Sequence, residues 1–151
     1  MGERSEAESW PIKSKKELHK MNAAYRVWDG KEMHYWDDEG MRLVIEHDGR
    51  WFLWRDGMEC IAFSNDGVSI LMWGTGFKVK NGRQIYDRDM LIGKGMTHPL
   101  LVEWSDYYGA FRVDEDTKYL FHMLINNGLA RYELEVIGDV YQNPELLEEA
   151  K

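Results

Sequence analysis

The chain has 151 residues, of which 44% are hydrophobic and 30% are charged, so it is long enough for one globular domain with a real core. The formal net charge of −8 argues against binding duplex nucleic acid without sequence preference, because that binding depends on neutralising phosphates. A single cysteine excludes an internal disulfide, and no apolar run reaches the ~18 residues of a membrane span. We therefore expect a cytoplasmic protein with no membrane attachment.

Residues 1–21 differ from the rest of the chain in polarity and in hydrophobic patterning. They are polar, contain one proline and lack the alternation of a strand. We predict a polar N-terminal extension, which is either a plain tail or an arm that binds a partner. Residues 22–151 then form a single domain, and the seven Trp, eight Tyr and five Phe of the whole chain favour β-structure.

Short alternating runs separated by turn signals occupy residues 23–62. "AYRVW" and "EMHYW" flank an Asp-Gly-Lys turn, and "MRLVIEH" and "WFLW" flank an Asp-Gly-Arg turn. Asp-Gly between such runs is a strong hairpin signal. The sequence therefore predicts an N-terminal β-meander over residues 23–62.

Further strand-like runs fill the second half. "VSILMW" is almost continuously apolar, which is typical of a strand buried on most of its surface. "MLIGK", "LLVEW", "AFRVD" and "YELEVIG" follow it along the chain, with "SDYYG" and similar polar segments as connections. The protein is thus predicted to be mainly β.

Two short helices are predicted near residues 117–127 and 144–150. In the first, apolar residues share one face, Asp116 or Thr117 caps the start and Gly128 suits the end. In the second, Asn143 is the expected cap and Pro144 the first helical residue.

The stretch from Trp73 to Leu91 carries a local excess of positive charge. It lacks the Gly-Lys-Ser/Thr of a phosphate-binding loop. One interpretation is a hairpin whose Asn81-Gly82 pair supplies positive φ and whose lysines keep an edge strand soluble. The other is a surface that binds single-stranded nucleic acid, with aromatic rings for stacking and basic side chains for phosphates. The residues of this possible binding surface are Trp73, Phe77, Lys78, Lys80, Arg83, Tyr86 and Arg88.

Three segments resemble the YopX family of phage and prophage proteins. They are "YRVWDGKEMHYWDD", "LMWGTGFKVKNGRQIYDRDM" and "EVIGDVYQNPELL", and they occur in the family's order between Ala23 and Leu147. The resemblance implies an SH3-type β-barrel over residues 66–141 and a place in the cytoplasm of a bacterial host. It implies no activity. Arg88 stands where the family usually has glycine, at a backbone position that favours positive φ.

We predict no catalytic, metal or cofactor site. The five histidines are scattered without a ligand spacing, and His34 near Asp37 and Asp38 lies in an acidic turn. Cys60, between apolar neighbours, is interpreted as a small core residue. An enzyme would need a cleft that brings together side chains such as His34, Asp37 or Glu103.

The sequence favours a non-catalytic binding or assembly module. Its partner would be a host or phage protein, or a second copy of itself, because exposed Trp and Tyr suit interface anchors. The alternative is a single-stranded nucleic-acid binder that uses the Lys78–Arg88 hairpin, although the net charge of −8 disfavours it.

Overall fold

The computed structural model describes residues 23–113 and 133–150, and the fold in these ranges is mainly β. The predicted extension at residues 1–21 and the predicted helix near 117–127 lie outside the described residues. In chain order the elements are β1 (Tyr25–Trp28), β2 (Met33–Tyr35), β3 (Met41–Ile45), β4 (Trp51–Arg55), β5 (Glu59–Phe63), β6 (Ile70–Lys78), β7 (Gln84–Tyr86), β8 (Asp89–Ile92), β9 (Leu100–Leu101), β10 (Glu103–Ser105), β11 (Ala110–Arg112), β12 (Glu135–Asp139) and α1 (Glu145–Ala150). The prediction of a mainly β protein with a short C-terminal helix is confirmed.

The strands of the described ranges form four antiparallel groups. Their orders are β2-β1-β6-β7, β3-β4-β5, β12-β8-β9 and β10-β11. The β1–β2 and β3–β4 hairpins match the predicted meander, with Val27 opposite His34 in the first and Leu43 opposite Leu53 in the second. At the β1–β2 turn, Asp29 Oδ1 accepts hydrogen bonds from two backbone amides, and Gly30 supplies a φ of +99°.

The predicted SH3-type barrel is not confirmed. β6 and β7 continue the sheet of β1 and β2, because β6 pairs with β1 along its first half and places Trp73 opposite Tyr25. β8 instead pairs with β9 and β12, and β10 pairs only with β11 among the described strands. The first and second halves of the chain therefore share a sheet.

Two hydrophobic clusters fill the interior of the part that the structure describes. The first lies in the N-terminal half and contains Tyr25, Val27, Trp51, Leu53 and Ala62. The second lies in the C-terminal half and contains Val79, Ile85, Leu91, Val102, Val113 and Leu134. In the first set, Tyr25 and Val27 alternate along β1 and Trp51 and Leu53 alternate along β4, as expected when every second residue of a strand faces inward.

A buried ion pair connects the sheet of β1 to that of β8. The side chains of Arg26 and Asp89 have no exposed surface, and Arg26 Nη1 lies 2.9 Å from Asp89 Oδ1. At this distance the opposite charges of the two groups attract each other strongly. Arg26 Nη2 donates to the Asp87 carbonyl at 3.0 Å, and Asp89 Oδ2 accepts from the Tyr86 amide at 2.8 Å. Burial raises the pKa of Asp89, and the charge of Arg26 opposes that rise.

Arg88 confirms the backbone conformation expected where the family has glycine. Its φ is +69°, in the left-handed region that costs a residue with a Cβ atom. Its amide donates to the Val102 carbonyl at 2.6 Å, and its carbonyl accepts from the Val140 amide. Its guanidinium lies 5.7 Å from the ring centre of Tyr141 and donates a hydrogen bond to the Tyr141 hydroxyl. These contacts hold the strained residue in place.

The C-terminal helix begins one residue later than expected, at Glu145. Asn143 is not its side-chain cap: Asn143 Oδ1 accepts from the Asp139 amide, so the side chain caps the preceding turn. Buried Asp139 holds the same turn through the amides of Tyr141 and Gln142. No helix in the described ranges is long and apolar enough to cross a membrane.

Replacing Arg26 with Met should destabilise the protein by about 3–5 kcal/mol at neutral pH, because Asp89 would remain buried without its partner. Loss of the opposing charge also raises the pKa of Asp89 further. The folded variant then binds a proton more readily than the unfolded chain, so its deficit should shrink at mildly acidic pH. Urea denaturation at both pH values measures this. Arg42→Met, at an exposed position of β3, is the control and should stay within about 0.5 kcal/mol of wild type. An equal deficit at both pH values would contradict the assignment.

Arg88→Gly should be more stable than Arg88→Ala by about 1 kcal/mol. Both variants lose the contact with Tyr141, but only alanine retains the cost of a Cβ atom at positive φ. Urea denaturation of the two variants isolates this cost. Equal stability would mean that the backbone relaxes once the arginine is gone.

Candidate functional site

The basic stretch forms a hairpin between β6 and β7. The Val79 amide donates to the Arg83 carbonyl at 2.9 Å, and the Gly82 amide donates to the Val79 carbonyl at 2.8 Å. Gly82 has a φ of +89°, whereas Asn81 contributes through its side chain, which accepts from the Arg83 amide. The hairpin interpretation of the Asn-Gly pair is therefore correct, with glycine alone supplying the positive φ.

The residues of the predicted binding surface do not share one face. Lys78 and Arg83 are exposed and line the same open groove. Lys80 is also exposed, but it lines a separate cavity of about 250 Å³ beside Glu133 and Glu135.

The remaining members are mostly engaged within the fold. Phe77 packs against the C-terminal hydrophobic cluster, and Arg88 lies on Tyr141. Tyr86 is only 4% exposed, with the Arg26 guanidinium 4.8 Å from its ring centre. Trp73 is exposed and contacts the edge of Tyr25. Whether these residues bind anything stays a prediction.

The open groove has a volume of about 780 Å³ and lies between the β6–β7 hairpin and the end of β2. Its lining residues are Ala23, Ala24, Tyr35, Trp36, Asp37, Gly76, Lys78, Gly82, Arg83, Gln84 and Tyr86. We call it the Trp36 groove. Pairing of β1 with both β2 and β6 brings its two walls together, although their sequences are about 40 residues apart.

Tyr86 fixes the aromatic wall of the Trp36 groove. Its ring meets Tyr35 edge to face, with ring centres 5.8 Å apart. Its hydroxyl accepts a hydrogen bond from the side chain of Trp36. Trp36 itself is 46% exposed. Burial raises the pKa of Tyr86 to about 12, against the lowering effect of that hydrogen bond.

Sequence reasoning missed Tyr35 and Trp36, and it considered Asp37 only as part of a solvated turn or of a catalytic cleft. "YWDD" was interpreted as the end of a hairpin strand and a solvated turn, which describes its local structure correctly. The signal that could have found the site is long-range, because only the β1–β6 pairing places this turn beside the basic hairpin.

A second exposed surface is the hairpin of β10 and β11, which we call the aromatic hairpin. Trp104, Tyr107 and Tyr108 are 49%, 89% and 41% exposed. Trp104 packs edge-on against Phe111 at 5.2 Å and donates to Asp106 Oδ1, so its ring is held in place. The guanidinium of Arg112 lies 4.9 Å from the ring centre of Tyr108.

Asp87 connects the aromatic hairpin to the sheet of β1 and β6. Its Oδ1 accepts from the Trp104 amide at 3.2 Å, and its own amide donates to the Trp73 carbonyl at 2.9 Å. Burial raises the pKa of Asp87, with the Arg88 charge acting in the opposite direction. The hairpin is therefore attached at its base and exposed at its tip.

Asp29, Glu32 and His34 place three possible metal ligands within 4.8 Å of one another. His34 Nε2 lies 2.8 Å from Asp29 Oδ2, and Arg55 Nη2 lies 3.5 Å from His34 Nδ1. Arginine can only donate, so His34 Nδ1 is the acceptor of that hydrogen bond. His34 Nε2 then carries the ring proton and donates a hydrogen bond to Asp29. A metal on Nε2 would put a proton on Nδ1 facing Arg55, and metal-bound histidines need an acceptor there. The arrangement fits a structural hydrogen-bond chain.

The expectation that Cys60 is a core residue is wrong. Cys60 is exposed, whereas Ala62 two positions later is buried. A bulge between β4 and β5 pairs Cys60 with Trp54 and leaves Ala62 opposite Leu53. Side chains two residues apart in a strand normally share a face, but the bulge adds one residue to β5 between these two pairs. Cys60 and Ala62 therefore face opposite sides of the sheet, and Cys60 lies on the outer face.

The side chains named as markers of a catalytic cleft are not gathered in the Trp36 groove. Asp37 lines it, but His34 and Glu103 do not. His34 is directed to Asp29, and Glu103 lies in β10.

Comparison with known proteins places these features in a family. Residues 24–148 match the family described as "YopX protein". The chain belongs to the YopX family. It is 44% identical over 139 residues to the "SPbeta prophage-derived uncharacterized protein YopX" of Bacillus subtilis strain 168, covering 87% of this chain and 100% of that protein.

Solved structures agree with this membership. The crystal structure of yopX from Bacillus subtilis has a TM-score of 0.65 and 42% identity, covering 83% of this chain and 98% of that one. The crystal structure of EF1440 from Enterococcus faecalis has a TM-score of 0.56 at 22% identity, covering 85% and 99%, and is similar in fold. The YopX resemblance inferred from the three sequence segments is thus confirmed.

Removing the Tyr86 hydroxyl should reduce sensitivity to alkali. In the wild type the pKa of Tyr86 in the folded protein, about 12, exceeds the ordinary tyrosine pKa of 10.0. The unfolded chain therefore loses this proton first, and stability falls as pH rises between the two values. Tyr86→Phe lacks this titration. Its stability relative to wild type should therefore increase from about pH 9 to about pH 11, as measured by urea denaturation. A constant difference would show that Tyr86 ionises normally in the folded protein.

Proposed function

We propose that this phage- or prophage-encoded protein is a non-catalytic binding or assembly module in the cytoplasm of a bacterial host. It acts on a protein partner or on a second copy of itself. The observation that carries the proposal is the aromatic hairpin, which exposes Trp104, Tyr107 and Tyr108 within five residues. Rigid aromatic side chains of this kind dominate the energetics of protein interfaces.

Several contacts support the hairpin as a preorganised contact surface. Trp104 is fixed by Phe111 and Asp106, and the Asp87 carboxylate holds its backbone. A ring that is already fixed loses little conformational entropy when a partner covers it. Tyr107, at 89% exposure, buries much apolar area only when something docks on it.

The Trp36 groove favours a second function, the binding of single-stranded nucleic acid. Of the basic residues proposed for that role, Lys78 and Arg83 line it together with an exposed tryptophan. The net charge of −8 weighs against this function and limits it to a local contact.

Light scattering tests the assembly function. We expect the wild type to form a defined oligomer and Tyr107→Ser, together with Trp104→Ala, to shift it towards monomer, because the aromatic contact area is lost. Met58→Ser is the matched control, since Met58 is an equally exposed apolar residue in the β4–β5 turn and should leave the oligomer unchanged.

If the wild type is monomeric, binding to a different protein is the remaining form of the proposal. Photo-cross-linking from position 107 tests it, with cross-linking from position 58 as the control. A host or phage protein captured at 107 but not at 58 supports the proposal. A strictly monomeric protein that gives no adduct at 107 contradicts it.

A further inference from the structure

The cationic wall of the Trp36 groove is formed by two exposed residues, Lys78 and Arg83, and the charge of Arg83 also acts on buried Asp89. Lys78 ends β6 and Arg83 immediately precedes β7, so both flank the same turn. Within residues 23–113 and 133–150, neither has an acidic partner within 4.0 Å. Gly82 between them leaves open space, because a Cβ atom there would meet nothing within 4 Å. This wall suits a phosphate, which arginine binds by two hydrogen bonds and lysine by charge.

The opposite wall offers a fixed aromatic surface. Trp36 is held through its indole nitrogen by buried Tyr86, and 46% of the residue remains exposed. Tyr86 is itself fixed by Tyr35 and Arg26. A tryptophan anchored at one edge presents a stacking surface for a planar ring at low entropic cost.

Asp37 gives the groove a direction. It follows Trp36 in the chain and lines the same groove as Lys78 and Arg83. A carboxylate repels phosphate and accepts hydrogen bonds from amino groups such as those of cytosine and adenine. A ligand with a phosphate at one end and an aminated base at the other matches both walls in one orientation only.

We propose that the Trp36 groove binds single-stranded nucleic acid, with one base stacked on Trp36, its amino group on Asp37 and a neighbouring phosphate between Lys78 and Arg83. This inference rests on the second function proposed above and specifies where and how the strand binds. The volume of about 780 Å³ lies within the ~300–1,000 Å³ range of ligand sites, and the open shape lets a strand continue at both ends. A duplex is excluded, because its bases are already stacked.

The proposed contact makes the salt dependence quantitative. Each phosphate neutralised on a single strand contributes a slope of about −0.7 to the plot of log affinity against log salt. One or two phosphates at Lys78 and Arg83 therefore give a total slope no steeper than about −1.4. Affinity should fall by at most about sevenfold between roughly 50 and 200 mM salt.

The test is fluorescence anisotropy with a short labelled oligodeoxycytidylate. We expect Lys78→Glu and Arg83→Glu each to weaken binding at least about fivefold, because a phosphate contact becomes a repulsion. Lys80→Glu is the matched control, because it makes the same charge change on the same hairpin. Lys80 lines the separate cavity beside Glu133 and Glu135, so this variant should alter affinity less than about twofold.

The aromatic contact has its own matched pair. Trp36→Ala should weaken binding at least about fivefold, since stacking on one base is lost. Trp73→Ala should leave it unchanged, because Trp73 is similarly exposed, at 43%, but does not line the groove. Asp37→Asn should reduce the preference for oligodeoxycytidylate over oligodeoxythymidylate. Circular dichroism of each variant verifies folding, and the exposed charge variants carry the test if Trp36→Ala unfolds.

Three outcomes would overturn the assignment in different ways. Binding that Lys80→Glu weakens as much as Lys78→Glu would keep the nucleic-acid function and reject the groove. Equal competition by inorganic polyphosphate would identify a general anion site. No binding of the oligonucleotide at low salt would reject both the function and the groove, and would leave the aromatic hairpin proposal unaffected.

Discussion

The ion pair between Arg26 and Asp89 is the contact on which the rest of the structure depends. Each of its members also makes a second contact, Arg26 with the Asp87 carbonyl and Asp89 with the Tyr86 amide. The segment from Tyr86 to Asp89 is thereby fixed against β1. This segment in turn positions both exposed surfaces, since Tyr86 holds Trp36 and the Asp87 carboxylate holds Trp104. A buried ion pair stabilises a fold weakly, because desolvation offsets attraction, but here it specifies which strands meet.

Both candidate surfaces therefore have a rigid base and an exposed working face. They differ in chemistry. The aromatic hairpin presents apolar area beside Asp106, whereas the Trp36 groove combines one ring with two cations and one anion. The first arrangement suits burial against a protein, and the second suits a ligand that is itself charged at one end. Two separate residue sets allow the two functions to be tested independently.

Local sequence signals predicted the hairpins, the β content and the YopX resemblance well. Gly30 and Gly82 supply a positive φ, and the side chains of Asp29 and Asn81 accept hydrogen bonds from turn amides, so both turns are readable from a few letters. The site was less predictable for the opposite reason. Trp36 and Lys78 meet only through the pairing of β1 with β6, and no pattern within either segment records that pairing. Cys60 was misplaced because a single bulge in β5 reverses which residues face inward.

The bulge that turns Cys60 outward has a practical consequence. Cys60 is the sole cysteine of the sequence, and it lies exposed on β5, which pairs with β4. A thiol-reactive dye can therefore be attached at one known position of the native protein without any mutagenesis. Energy transfer from that dye to a labelled oligonucleotide, or to a second labelled copy, would report the distance of either partner from the sheet of β3, β4 and β5.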